Sequence, residues 1–370
     1  MSFRIIGALA VAGASALVSP ALAETIRTAS AFGPNHAGAE GYRIFLQTLS
    51  DETHGAWTGR DYPSGLVSPG EMVNALRDGL VDVGSMLMPY FPAEFRDSNL
   101  PAELALLGTD ARVVSGAAAE YLLSCAECMT EFTQINQMYL GATATTPYQI
   151  ITVNPVRTQA DLQGLRIRTG GAAFSRWAEH FGAIPVQLPA PEVFEGLSQG
   201  VIGAHYNAMS DLTAYNLYDL VHGVTEINLG TFNGVSTFSM RLDLWQTLSP
   251  EVRAAFVRAA VVGEAALTFR YIHETEAARE RAIAAGIEII EPDAEFQQAN
   301  ADFVAADLAA LPARLESLGI TGGPEKIEHF QQLVARWQGL VEGVDTQEAY
   351  ADLLMREIWS HIDLANFPAQ

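Results

Sequence analysis

Two arginines stand one residue apart in the stretch GLRIRTGG at residues 164–171, in a chain whose formal net charge is -22. An arginine side chain can hold a carboxylate through two parallel N–H···O bonds, and it keeps its charge at any usable pH. Arg168 falls near the end of a short apolar strand, and Gly170 and Gly171 allow the backbone to turn sharply there. The pattern indicates either a carboxylate-binding site or a structural ion pair, because buried charges are normally paired.

Motifs of several common enzyme classes are absent from the printed sequence. It contains no P-loop, no G-x-G-x-x-G and no H-E-x-x-H. The eight histidines are scattered along the chain, and none stands at ligand spacing from another. Two cysteines by themselves cannot form a structural zinc site. The sequence therefore favours a binding protein over an enzyme, and it predicts no cofactor and no metal.

The first 23 residues have the composition of a secretory signal peptide. Arg4 precedes an apolar run rich in small residues, and Ala21-Leu22-Ala23 forms a cleavage site before Glu24. No later segment is apolar enough to span a bilayer, so we expect an exported, periplasmic protein without stable membrane insertion. The net acidity excludes nucleic acid as a natural partner and gives anionic ligands no long-range attraction. Any anion must therefore be held by a local cationic site.

The only two cysteines, Cys125 and Cys128, lie in a segment with helical character. Export to an oxidising compartment favours a disulfide between them. A regular helix, however, holds side chains three residues apart at about 5–6 Å, which exceeds the Cβ separation of about 3.8 Å in a disulfide. Either the helix is distorted at this point or the thiols stay reduced.

Short apolar strands alternate with helices along the chain. Strands are predicted at residues 25–32, 80–86, 149–153 and 165–169. Such alternation is typical of an α/β fold with mainly parallel sheets flanked by helices. One unit recurs, since EMVNALRDGLVDVG (71–84) and EVFEGLSQGVIGAH (192–205) both consist of a helix, a glycine and an apolar strand. We therefore expect two lobes whose strand ends face a common crevice, where ligands bind in open α/β sheets.

A long helix is predicted from Pro250, with Ser249 as its N-cap and Gly286 as its end. Its ~35 residues would extend roughly 50 Å, which is enough to run along both lobes. The expected division of the chain has four parts. They are a signal peptide (1–23), a first lobe (24–146 with about 233–270), a second lobe (147–232 with about 271–326) and a C-terminal helical extension (327–370).

The segment from Asn154 to Asn207 resembles the solute receptors of TRAP transporters (tripartite ATP-independent periplasmic transporters, DctP-type). The chain has ADLQGLRIR, FGAIPVQLP, PEVFEGLSQG and VIGAHYN. The family has DLKGLKIR, a Gly-Ala-x-Pro turn, sEvYtALqtG and a strand ending in Asn. Two further stretches, YPSGLVSPGEMVNALRDGLVDVG and LWQTLSPEVR, are also similar, so the resemblance covers most of residues 25–320. It implies a two-lobed periplasmic binding protein of the type II-like fold, with the long helix spanning both lobes.

The resemblance also implies a ligand site between the lobes. Arg168 matches the family arginine that holds the ligand carboxylate, whereas Arg166 matches a position that is usually lysine and is interpreted as structural. Asn207 matches the polar residue that closes the site from the next strand. The other predicted ligand-binding residues are Asn35, His36, Ser85, Met86, Tyr148 and Tyr206.

Two departures from the family pattern bear on the ligand. Gly203-Ala204 replaces the usual Asp-Gly, and Thr146-Pro147-Tyr148 stands where dicarboxylate and sugar-acid receptors often carry a second basic residue. With one clear cation and nearby aromatics, we expect an organic monocarboxylate with an apolar or hydroxylated body. Phe174 and Trp177 are interpreted as core residues, since helical aromatics usually face a core.

Three functions are compatible with these residues. The first is an extracytoplasmic receptor that delivers an organic acid to the membrane subunits of a TRAP-type permease. The second is a sensor that presents the same ligand to a membrane signalling protein. The third, and least favoured, is an exported thiol oxidoreductase that uses Cys125 and Cys128.

Overall fold

A computed structural model describes residues 23–63 and 65–368. The predicted signal peptide, 1–23, lies outside these residues except for its last position. No helix within the described ranges combines the length and the apolar character needed to cross a membrane.

Eleven strands and thirteen α-helices of the described residues carry labels below. The strands are β1 (Glu24–Ala29), β2 (Trp57–Asp61), β3 (Val83–Leu87), β4 (Gln137–Met138), β5 (Gln149–Thr152), β6 (Arg166–Thr169), β7 (Ile184–Gln187), β8 (Ala204–Asn207), β9 (Gly223–Thr225), β10 (Val235–Arg241) and β11 (Glu288–Ile290). The helices are α1 (Ala37–Glu52), α2 (Met72–Arg77), α3 (Leu100–Glu103), α4 (Ala111–Ser124), α5 (Ala126–Gln134), α6 (Ala172–His180), α7 (Val193–Ser198), α8 (Asp211–Ala214), α9 (Leu242–Thr247), α10 (Pro250–Ala284), α11 (Ala294–Ser317), α12 (Gly323–Leu340) and α13 (Gln347–Glu357).

The strands form two sheets, each of which organises one lobe. The first lobe contains a five-stranded sheet in the order β2-β1-β3-β10-β4, and the second a six-stranded sheet in the order β11-β9-β5-β8-β6-β7. In each sheet one strand is antiparallel to both of its neighbours, β10 in the first and β5 in the second. Five of the nine strand pairs are parallel, and the four antiparallel pairs all involve β5 or β10. The two-lobed α/β fold is confirmed, and the lobe boundaries near residues 146, 232 and 270 stay predictions.

The long helix α10 is shared by both lobes. It begins at Pro250, where the side chain of Ser249 accepts a hydrogen bond from the backbone N–H of Val252, as the sequence predicts. Most of its buried apolar residues between Ala255 and Phe269 join the core of the first lobe, whereas Ala278 and Ala282 join a core of the second. One rigid element thus contributes to both hydrophobic cores.

Helices α1 and α10 approach each other closely through two glycines. A Cβ built on Gly263 of α10 would lie 2.8 Å from the carbonyl oxygen of Gly41 of α1 and 2.7 Å from Cζ of Phe238. No larger residue fits at this crossing without displacing backbone. The contact matters for the cavity described below, because Tyr42 of α1 and Tyr271 of α10 both line that cavity.

The C-terminal helices pack on the first lobe. The indole of Trp337 in α12 lies against Gly116 of α4, and its Nε1–H donates to Glu120 at 2.7 Å. In α13, the hydroxyl of Tyr350 donates to the carbonyl of Arg112 at 2.7 Å. Their apolar faces belong to the same core cluster as the first sheet. The extension therefore adds a layer to one lobe.

Cys125 and Cys128 form a disulfide with a Cα separation of 5.2 Å. Cys125 is the C-cap of α4 and the N-cap of α5, with an extended backbone at φ -99° and ψ 106°. The structure thus decides between the two alternatives of the sequence, since a break in the helix lets the side chains meet. Neither cysteine presents a free thiol.

Replacing Gly263 with alanine is expected to lower the free energy of unfolding by about 1–3 kcal/mol, because the added Cβ overpacks the helix crossing. The matched control is Gly339→Ala in α12, where nothing lies within 4 Å of the added Cβ. That variant should gain about 0.5 kcal/mol from the loss of backbone freedom. Urea denaturation of the two variants measures both values, and equal effects would contradict the close crossing.

Candidate functional site

A cavity lies between the two lobes, where the C-terminal ends of strands from both sheets converge. Ser85 and Leu87 of β3 line it from the first lobe, and Arg168 of β6 and Asn207 of β8 line it from the second. Tyr271 of the shared helix α10 completes the wall between them. This is the position at which open α/β sheets bind ligands.

Arg168 is buried in the wall of this cavity, with 1% of its surface exposed. Its Nε–H donates to the carbonyl of Leu188 at 2.9 Å, and Nη2 donates to the hydroxyl of Tyr90, also at 2.9 Å. Nη1 has no hydrogen-bond partner among the described residues, and no carboxylate of those residues lies within ion-pair distance. The guanidinium is thus held on two sides by neutral groups and retains unused donor capacity.

The charge of Arg168 persists despite its burial. Burial alone lowers the pKa of the guanidinium, but the neighbouring Tyr90, Tyr148 and Tyr215, together with Asp211, raise it above its usual value. Arg168 therefore stays positively charged in the cavity wall at any usable pH.

Three polar side chains next to Arg168 also have unused hydrogen-bonding capacity. Asn207 uses Oδ1 to accept from the N–H of Ala208 at 3.1 Å, which leaves its Nδ2 without a partner among the described residues. The hydroxyl of Tyr215 is buried without a partner in the same set of residues. Asp211 is 3% exposed, and burial raises the pKa of its carboxyl to about 7 although Arg168 and Asn207 oppose the rise. Native interiors leave few such groups unpaired, so the cavity is prepared for a polar ligand.

His36 is a neutral side chain on the opposite wall. Its Nδ1 accepts from the N–H of Gly38 at 3.0 Å, so that it caps helix α1, and its ring stacks on Phe32 at 4.1 Å. Burial lowers the pKa of His36 to about 3, which keeps the ring uncharged at neutral pH. Since Nδ1 is an acceptor, Nε2–H donates to the hydroxyl of Tyr271 at 3.1 Å. The hydroxyl proton of Tyr271 is then free to donate elsewhere.

Seven aromatic rings line the cavity. They are Phe32, Tyr42, Tyr90, Tyr148, Tyr215, Phe232 and Tyr271. Tyr148 is stacked between Phe174 and Phe232, at centroid distances of 5.1 and 6.1 Å. A wall of flat rings around one cation favours a ligand with a charged end and an apolar or planar body.

Five of the eight residues predicted from the sequence line the cavity. They are Arg168, Asn207, Tyr148, His36 and Ser85. The other three do not line this cavity. Asn35 is exposed in the turn before α1, while Met86 is buried in the core of the first lobe. Tyr206 packs edge-on against Trp177 at 5.4 Å. Met86 and Tyr206 follow and precede cavity residues on their strands, and successive strand residues point to opposite faces.

The cavity residues that the sequence reasoning missed include four with polar side chains, Tyr90, Asp211, Tyr215 and Tyr271. Asp211 begins a short helix after β8, and at such a position an aspartate is read as a helix-terminal residue. Tyr271 is one of several apolar positions on α10, and only the packing of that helix shows which one faces the cavity. The stretch NAMSD after β8 was the available signal, because polar residues at strand ends are typical of α/β sites.

Two further sequence features do not contribute to the cavity. Arg166 is exposed, and its Nη2 donates to the carbonyl of Gly200 at 2.5 Å, in agreement with a structural role. The letters GLSQG at residues 196–200 match the hydrolase pattern G-x-S-x-G. Ser198, however, is the last residue of α7. It is exposed, and its hydroxyl donates to the backbone carbonyl of Glu195. A nucleophile elbow instead places its serine between a strand and the following helix.

The sequence pattern of the family described as "Bacterial extracellular solute-binding protein, family 7" matches residues 28–311. The chain belongs to this family. A relative from Haemophilus influenzae, described as an uncharacterized protein, is 25% identical over 277 residues, which are 70% of this chain and 78% of that protein. The resemblance inferred from the motifs is therefore confirmed.

Solved structures of TRAP solute-binding proteins share the fold. One from Bordetella bronchiseptica, with bound (R)- and (S)-mandelate, is 25% identical with a TM-score of 0.74, over 84% of this chain and 99% of that one. One from Rhodoferax ferrireducens, with copurified benzoate, is 21% identical with a TM-score of 0.76, over 86% of this chain and 99% of that one. These similar structures are solute-binding proteins with a bound organic acid.

The raised pKa of Asp211 predicts a pH dependence of stability in the unliganded protein. Its carboxyl binds a proton more tightly in the folded state than in the unfolded chain, where the pKa is 3.8. The stabilising contribution of this proton is complete below that value and is lost as pH rises to about 7. Relative to Asp211→Asn, the wild type should therefore lose stability across this window and stay constant above it.

Thermal unfolding of both proteins between pH 4 and 8 checks this expectation, since the difference between them cancels the other carboxylates. The slope of the difference should approach about 1.4 kcal/mol per pH unit. A difference independent of pH would show that the Asp211 carboxyl titrates normally.

Proposed function

We propose that this protein is a periplasmic receptor that binds an organic monocarboxylate in the cavity and delivers it to a TRAP-type membrane permease. The observation that carries the proposal is the buried guanidinium of Arg168, whose Nη1 has no partner among the described residues. A carboxylate placed there receives a charge-assisted hydrogen bond in a site shielded from water. Asn207 Nδ2 and the hydroxyls of Tyr215 and Tyr271 supply further donors around it.

The charges around the cavity favour one carboxylate over two. Arg168 is the single cation among the described residues that line it, and the neutral His36 adds no second one. Asp211, on the same wall, is a carboxyl and supplies no cation for a second anionic group. A dicarboxylate would therefore bury one charge without a counter-charge, which costs several kcal/mol.

The aromatic lining favours a ligand with an apolar or planar body. Structurally similar receptors point the same way, because one was obtained with bound benzoate and another with bound mandelate. Ligand binding between lobes joined by a shared helix would favour a closed arrangement, and a permease can recognise that arrangement. No chemical change of the ligand is involved in this function.

A screen of small acids tests the proposed ligand class. We expect monocarboxylates such as benzoate, mandelate and pyroglutamate to raise the melting temperature of the mature protein, by mass action on the folded state. Succinate, malate and other dicarboxylates should leave it unchanged. Stabilisation by dicarboxylates alone would contradict the single-cation site.

Substituting Arg168 tests the site itself. Arg168→Ala should weaken carboxylate binding by about 30-fold to several thousand-fold, because the loss of a buried charged partner costs about 2–5 kcal/mol. Arg168→Lys should also bind weakly, since an ammonium cannot contact Leu188, Tyr90 and a ligand with the geometry of a guanidinium.

The matched control is Arg166→Ala, two residues away on the same strand but exposed. This variant should keep wild-type affinity in isothermal titration calorimetry. Unchanged affinity in Arg168→Ala, or equal losses in both alanine variants, would exclude the assignment of Arg168.

A further inference from the structure

Four charged side chains form a cluster at the boundary between the lobes, outside the ligand cavity. Arg176 of α6 lies at its centre, and Nη1 of this residue donates to Glu103 of α3 at 2.7 Å. Its Nε and Nη2 donate to the two carboxylate oxygens of Asp307 of α11, at 2.8 and 3.0 Å. Arg314 completes the cluster, because its Nη2 lies 2.9 Å from Oδ1 of Asp307. Two cations and two anions thus compensate one another.

One ion pair of this cluster connects the two lobes. Helix α6 belongs to the second lobe, since Trp177 shares a core with Ile167 of β6. Helix α3 belongs to the first lobe, where Leu100 joins the core of the first sheet. Of the ion pairs within the described ranges, that of Arg176 with Glu103 is the one that joins a helix of one lobe to a helix of the other. Separation of the lobes must break it.

The position of Asp307 reinforces this connection. Phe303 of α11 packs in the core of the second lobe and Leu311 in that of the first, so that Asp307 lies where the helix passes from one to the other. The side chains of Arg176 and Glu103 are 19% and 16% exposed. Ion pairs shielded to this degree are screened by salt less than exposed ones, and the loss of one partner costs more. The cluster can therefore contribute to the free-energy difference between joined and separated lobes.

Helix α6 also links the cluster to the ligand cavity. It begins four residues after Arg168, and the hydroxyl of Ser175 in α6 lies 2.8 Å from that of Thr169. Strand β6 and helix α6 are therefore held together. A movement of the second lobe that brings Arg168 towards the first lobe also brings Arg176 towards Glu103.

We propose that Arg176 is an interlobe latch. Its ion pair with Glu103 stabilises the arrangement in which the lobes enclose the cavity, and it thereby slows the release of bound ligand. This inference goes beyond the proposed function, because it concerns the equilibrium between lobe arrangements and not the identity of the ligand. Affinity depends on that equilibrium, since a ligand that requires one arrangement binds in proportion to its population.

Glu103→Ala tests the latch without leaving a guanidinium unpaired, because Arg176 keeps Asp307 as a partner. In the unliganded variant we expect a larger radius of gyration by small-angle X-ray scattering, since separated lobes become more populated. The second readout uses whichever of benzoate, mandelate and pyroglutamate binds the wild type most tightly. Stopped-flow measurements should show its dissociation accelerated about 5-fold or more, with association unchanged or faster.

A second variant, Glu103→Gln, keeps an acceptor for Arg176 but removes the negative charge. Its radius of gyration and its dissociation rate should lie between those of the wild type and those of Glu103→Ala. The amide has nearly the size of the carboxylate, so this variant also limits any disturbance of packing.

The matched control is Glu357→Ala, which breaks an ion pair within the first lobe. Arg336 of α12 has two carboxylate partners, Glu120 and Glu357, both at 2.6 Å. The Glu357 side chain is 19% exposed, close to the value for Glu103, and Arg336 keeps Glu120 when it is removed. This variant should retain the wild-type radius of gyration and dissociation rate.

An unchanged radius of gyration together with an unchanged dissociation rate in Glu103→Ala would overturn the latch. Equal acceleration of dissociation in Glu103→Ala and Glu357→Ala would overturn it as well, because a general loss of stability then accounts for both. Thermal unfolding of the unliganded proteins separates opening of the lobes from unfolding. The scattering measurement requires no ligand, so a wild type that binds none of the acids would contradict the proposed function, while the radius of gyration would still decide on the latch.

Discussion

A guanidinium that is 1% exposed must be satisfied by its surroundings, because an isolated charge in a protein interior costs more free energy than a typical fold provides. Arg168 meets this constraint only in part. The carbonyl of Leu188, in the second lobe, and the hydroxyl of Tyr90, after β3 of the first, accept its protons. Because these two acceptors come from different lobes, the same cation that would bind a ligand also joins the two halves of the protein.

Burial sets the protonation of the two other titratable groups in the cavity wall, His36 and Asp211. His36 stays neutral because burial lowers its pKa, and Asp211 holds a proton up to about pH 7 because burial outweighs the attraction of Arg168. Neither residue neutralises the guanidinium in the way that a salt bridge would. A ligand carboxylate can therefore supply the counter-charge for Arg168 that no side chain of the cavity supplies. The strongly acidic surface makes this a short-range interaction, since charges farther away than about 8 Å are screened at physiological salt.

Packing far from the charge controls how the cavity walls meet. The close crossing of α1 and α10 at Gly41 and Gly263 sets the spacing between His36, at the start of α1, and Tyr271, two turns further along α10. Helix α10 also contributes to the cores of both lobes, so a change in the lobe arrangement must be accommodated by this shared element. The C-terminal helices pack on the core of the first lobe, and this packing stabilises the sheet whose strands end at the cavity.

Much of the fold was determined by local features that can be read along the chain. The N-cap at Ser249, the proline after it and the glycine stop at Gly286 specify α10, since capping and backbone freedom depend on adjacent residues. Arg168 and Asn207 were also identifiable, because both stand at strand ends within a recognisable family pattern. The mixed direction of the sheets was not identifiable, as it depends on how the chain passes between the lobes.

The tertiary structure alone decided which neighbouring residue faces the cavity. Whether Ser85 or Met86 points inward depends on the register of β3 in its sheet, and a shift of one residue reverses every side chain. Tyr90, Asp211 and Tyr271 come from a turn, a short helix and a long helix that meet only after folding. The sequence by itself thus identified Arg168 as the cation of the site and identified the protein family. The contacts between distant segments, which form only on folding, decided which residues surround Arg168.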